Sequence, residues 1–81
     1  MLTTGNQLKA ARALVGMEQA KLAELAGLSI NTIRNMEAAG AGPIAGRSVN
    51  VQKVQRALEV VGIGFLNGDQ PGVQLRKAPP P

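Results

Sequence analysis

The chain has 81 residues and a formal charge of +4, from nine Lys and Arg against five Asp and Glu. A single domain of this size buries only about 60% of its unfolded surface, so its core is marginal without a partner. It has no cysteine and no histidine, which excludes disulfides, thiolate and imidazole metal sites, and the commonest general-base chemistry. The longest run of apolar residues and glycine, Val60 to Leu66, falls far short of the roughly 20 residues that span a bilayer. The opening MLTTGNQLKAAR lacks a charged leader ahead of an apolar stretch. The expectation is therefore a cytoplasmic protein without membrane association and without a cofactor.

Taken in chain order, Thr4 followed by Gln7 has the spacing of a capping box, and it predicts a first helix. Leu8, Ala11 and Val15 fall on one face of that helix, and Gly16 ends it. A second helix is expected from Glu18 or Gln19, burying Leu22 and Ala23 and stopping at Gly27. Ser29 caps a third, in which Ile33 and Met36 face inward, with Leu28 plugging the gap between helices two and three. The segment 38–46, AAGAGPIAG, interrupts the periodicity with small residues around a proline. Ser48 caps a fourth helix with an apolar stripe of Val51, Val54, Leu58 and Val61, closed by Gly62.

Beyond Gly62 the period changes. Ile63–Leu66 and Val73–Arg76 are short strand-like runs around Asn67-Gly68 and Pro71-Gly72, both turn dipeptides, so a β-hairpin is predicted. The closing Ala78-Pro79-Pro80-Pro81 is expected to be a disordered or polyproline tail. No internal repeat is visible. The fold class expected is thus mainly α, four helices with a short C-terminal hairpin: 1–62 a helical domain, 63–77 the hairpin and 78–81 the tail.

The stretch QAKLAELAGLSINTIRNME, residues 19–37, is the most informative. Two short helices joined at Ala26-Gly27-Leu28, the second with a polar outer face, form the pattern of a helix-turn-helix. In a basic chain that pattern points to duplex DNA. Asn31, Thr32, Arg34 and Asn35 point outward at this spacing. Asn reads adenine bidentately, Arg reads guanine, and Ile30 is able to touch a thymine methyl. The competing expectation is an ordinary surface helix in a four-helix bundle.

Residues 7–62 resemble the lambda-repressor/Cro-like (XRE) DNA-binding domain, through QLKAARALVGMEQAKLAELAGLSINTIRNME followed by VQKVQRALEVVGI. The resemblance implies a phosphate contact for Gln19 at the start of the second helix. It implies base or flanking-phosphate contacts for Ile30, Asn31, Thr32, Arg34 and Asn35, beside the capping Ser29. Arg47 and the N-terminus of the fourth helix would grip the backbone. Arg12 and Glu37 match a pair that forms an interior ion pair in some members. Three departures stand out. Glu18 occupies a cap where the family usually has Ser or Thr, Ile30 replaces a residue that is often polar, and the 38–46 loop is almost uncharged. Together they imply modest affinity per subunit and a need for two subunits.

The hairpin's Ile63, Phe65, Val73 and Leu75 would make one apolar face, and exposed strand edges attract other strands. A lone hairpin is marginal in water. The expectation is a homodimer formed through these four residues, set against a hairpin that merely folds back on its own helices. The functional expectation is a dimeric, sequence-specific DNA-binding repressor reading an inverted repeat through residues 29–37. The alternative is an antitoxin or similar interaction module whose hairpin binds a protein partner. Nothing suggests an enzyme. Gly40, Gly42 and Gly46 lack the lysine of a phosphate-binding loop, Ser29 and Ser48 serve as caps, and the five carboxylates are scattered.

Overall fold

The computed structural model describes residues 1–44, 48–66 and 72–76. Its elements are α1 (Gly5–Val15), α2 (Gln19–Ala26), α3 (Ile30–Glu37), α4 (Ser48–Val60), β1 (Ile63–Leu66) and β2 (Gly72–Leu75). Among the described residues, then, four helices are followed by one antiparallel hairpin. Among the described residues, no helix is long and apolar enough to cross a membrane.

Local chemistry accounts for the helix boundaries. Thr4 caps α1 with a complete capping box, its side chain accepting from the Gln7 N–H while the Gln7 side chain reaches back. Gly16 and Gly27 close α1 and α2 at φ of 64° and 70°, the left-handed region that costs glycine little and other residues more. Ser29 Oγ accepts from the Thr32 N–H at 3.2 Å and so caps α3. Glu18, at the corresponding position of α2, makes no side-chain cap bond.

One core joins all the elements. Leu8 and Ala11 of α1, Leu22 of α2, Ile33 of α3, Val54 and Leu58 of α4 are buried together. Leu28, Val51 and Val61 pack against this cluster half-buried. Leu2, ahead of the first helix, is also fully buried, and its backbone N–H donates to Gln55 Oε1 at 2.8 Å. Periodicity misses Leu2 because it precedes the helix and belongs to no repeating pattern.

The start of α1 lies against the end of α3. Asn6 N–H donates to the Gly40 carbonyl at 2.8 Å, and Ile44 N–H to the Thr3 carbonyl at 2.8 Å. A Cβ on Gly5 would stand 2.7 Å from the backbone of Met36, Glu37 and Gly40. Only glycine permits that approach.

The hairpin pairs Ile63 with Leu75, Gly64 with Gln74, Phe65 with Val73 and Leu66 with Gly72. The second strand runs one residue earlier than Val73–Arg76, because Gly72 pairs with Leu66. Arg76 lies beyond the strand, where its N–H donates to the Gly62 carbonyl. The hairpin is no appendage. Ile63 is 1% exposed within the helical core, and Phe65 and Val73 pack against the same cluster. The four-residue apolar face expected for a partner is therefore divided: Ile63 is consumed internally, Phe65 and Val73 are half-buried, and Leu75 is exposed. The Asn67-Gly68 and Pro71 turn signals, Arg47 and the 78–81 tail lie outside the described residues.

Candidate functional site

The α2–α3 unit is locked from beneath by one polar cluster. Arg12, on α1, donates from Nε to Glu37 Oε2 at 2.5 Å and from Nη2 to Glu37 Oε1 at 2.8 Å. Its remaining arm, Nη1, donates to the Met17 carbonyl at 2.9 Å, in the α1–α2 connection. Gln19 Nε2, at the first position of α2, donates to Glu37 Oε1 at 3.0 Å. Three helices are thus tied to a single carboxylate at the end of α3.

Glu37 is 3% exposed. Burial pushes its carboxyl up, but the hydrogen bonds from Arg12 and Gln19 and the charges of Arg12 and Lys9 outweigh that effect. The net result is a pKa below the ordinary carboxylate value. The Glu37 hydrogen bond raises Arg12 in turn, against a smaller opposing effect of burial. The pair stays ionised at neutral pH, and its bidentate geometry fixes the direction of both side chains.

Above this lock, α3 divides sharply into two faces. Ile33, Met36 and Glu37 are buried, whereas Asn31, Arg34 and Asn35 are exposed. Arg34 Nη1 lies 3.5 Å from Asn31 Oδ1, a loose contact one turn back. The exposed side therefore offers two amides and a guanidinium, each able to form two parallel hydrogen bonds to a planar edge.

The other residues singled out in the sequence fall into different settings. Ser29 is exposed, but its hydroxyl is engaged with the Thr32 N–H and lies 2.9 Å from Thr32 Oγ1. Thr32 is half-buried. Ile30 is half-buried and packed against the core, so its side chain supports α3. Gln19 is half-buried and gives one amide hydrogen to Glu37; no described residue accepts the other. Arg47 lies outside the described residues. Arg12 and Glu37 form the ion pair expected from the resemblance.

No protein-family model matches this chain, and no curated protein does.

Sequence reasoning missed the full role of Gln7. Besides completing the α1 cap, its buried side chain donates from Nε2 to the carbonyls of Leu66 at 3.0 Å and Gly72 at 3.2 Å. Its Oε1 accepts from the N–H groups of Thr3 at 2.8 Å and Thr4 at 3.0 Å. The capping-box spacing was legible. The second task was not, because it depends on a strand some 60 residues away, and no local signal reports it.

Proposed function

We propose that this chain is a helix-turn-helix protein of the lambda-repressor/Cro-like kind, in which α3 enters the major groove of duplex DNA and reads base edges. The observation that carries the reading is the division of α3. One side is anchored by Ile33, Met36 and the Glu37 lock, and the other presents Asn31, Arg34 and Asn35 to solvent. A recognition helix must hold its orientation while offering paired donors and acceptors, and this one does both. The positive charge of the chain favours approach to a polyanion.

Three helices meet at Glu37, so α2 and α3 would dock as one rigid unit. Gln19 then contributes a phosphate contact through its second amide hydrogen, at the start of the helix that crosses the backbone. Asn35 and Asn31 supply adenine contacts and Arg34 a guanine or phosphate contact. Ser29, Thr32 and Ile30 shape the helix from which those contacts are made. Arg47, outside the described residues, is proposed as a further backbone contact.

The reading includes a homodimer acting as a repressor on an inverted repeat, with half-sites about 34 Å apart. Contact between the two copies falls to the exposed apolar residues of the hairpin, Leu75 and Leu66. Phe65 and Val73 contribute only their outer edges.

The test is selection of bound duplexes from a random library by the purified full chain at two salt concentrations. The expected result is an enriched inverted repeat, with retention falling as salt rises. Salt-sensitive retention without any enriched sequence would reduce the reading to generic phosphate attraction and overturn sequence-specific regulation.

A further inference from the structure

Away from the exposed face of α3, a groove of about 420 Å³ runs between α2 and α4. Its α4 wall holds Gln52 and Ala57 and, along one stripe, Val49, Lys53, Arg56 and Val60 at i, i+4, i+7 and i+11, with Leu25 of α2 opposite. These are neighbouring positions along one helix face, spanning three turns or about 16 Å. The order is apolar, basic, basic, apolar.

All the large side chains of this groove face solvent. Val60 is 82% exposed, and Leu25 and Val49 are about half exposed. Among the described residues, neither Lys53 nor Arg56 pairs with a carboxylate, and no acidic residue lines the groove. Val54 and Leu58 of the same helix belong to the buried core, whereas the stripe lies outside it.

We infer that the α2–α4 groove is a docking site for an acidic amphipathic helix of a partner protein, with two apolar side chains seated near Val49 and Val60 and carboxylates between them facing Lys53 and Arg56. Charge decides among the candidate occupants. A second copy related by two-fold symmetry would set Lys53 and Arg56 against their own like charges, which is unfavourable at short range. Phosphate backbone would satisfy the two cations but leave Leu25, Val49 and Val60 without partners. An acidic helix with apolar ends satisfies both kinds of group, in the helix-in-groove mode. The site lies outside α3, and its Val49 end adjoins the start of α4, proposed above as a backbone contact.

The probe is a synthetic three-turn helical peptide with leucine at each end and two glutamates between, in the order of the Val49–Lys53–Arg56–Val60 stripe. It would be titrated into the isotopically labelled full chain and followed by amide chemical shifts. Controls are a peptide of the same composition in scrambled order, and a random-sequence duplex. Expected are saturable shifts centred on Leu25, Val49, Lys53, Arg56 and Val60, with affinity reduced at least about tenfold by Val60→Asp and by Lys53→Glu. Both positions are exposed, and thermal melts of the two variants would verify that they fold. No saturable shift at these residues would overturn the proposal. Equal binding of the scrambled peptide would do so too, since only net charge would then be read. If the duplex moved the same residues more strongly than the peptide, the groove would be a backbone contact and the proposal would fail.

Discussion

Gln7 and Leu66 are joined by a hydrogen bond from Nε2 to the Leu66 carbonyl at 3.0 Å, across 59 positions of sequence. The same amide donates to the Gly72 carbonyl, and Leu66 and Gly72 are the pair at the loop end of the hairpin. One side chain therefore caps α1 and holds the hairpin on the helices. Gln7→Glu keeps the acceptor that serves Thr3 and Thr4 but removes both donors. We expect a loss of more than about 1–3 kcal/mol, the cost of carbonyls left without partners, because the variant also buries a carboxylate against their oxygens. Hydrogen exchange should show hairpin amides losing protection while α1 keeps it. Equal loss in both elements would mean that cap and pin are not separable.

The Arg12–Glu37 pair makes a statement about pH. Glu37 is more acidic in the folded chain than in the unfolded one, where a glutamate titrates near about 4.3. Its contribution is thus complete above that value and is lost as pH falls through the lower folded value. Glu37→Gln should cost about 3 kcal/mol at neutral pH, because it leaves the Arg12 charge without its partner. It should also flatten the acid limb of the stability curve below about pH 4.3. Urea melts at several pH values would measure both. Parallel acid limbs in the wild type and the variant would show that Glu37 is not a source of acid lability.

On the proposed DNA-binding function, base contact and positioning fall to different side chains. Asn35→Ala removes an exposed amide and should cost about 1–3 kcal/mol at one base position while leaving random duplex bound as before. Gln19→Ala should weaken binding evenly across sequences, with some loss of stability because Glu37 loses a donor. Binding to specific and random duplexes, measured well below each melting temperature, distinguishes the two. Equal loss on both duplexes in both variants would contradict the division.

Ile63 and Leu75 face each other across the hairpin but differ in role, one 1% and the other 51% exposed. Leu75→Asp should leave the fold intact and, on the proposed hairpin-mediated dimer, sediment as a monomer. Ile63→Asp should unfold the chain by placing a charge in the core. A Leu75→Asp variant that sediments as the wild type does would remove the hairpin from any role in self-association.

The local signals in this sequence act within one helical turn, and they were readable for that reason. Thr4 with Gln7, Gly16, Gly27 and Ser29 place the helix ends through backbone conformation and caps that need no distant partner. The i, i+3 spacing of Ile33 and Met36 marks the buried side of α3, and so leaves Asn31, Arg34 and Asn35 on the other. Tertiary structure alone decided how much of each apolar residue remained exposed. Alternation makes Ile63, Phe65, Val73 and Leu75 equivalent, yet Ile63 joins the cluster containing Val54 and Leu58 while Leu75 stays outside it. The burial of Leu2, the inward packing of Ile30, the second task of Gln7 and the open groove beside Val60 have the same origin. Burial is set by which element lies on top, and that depends on contacts between residues far apart in the chain.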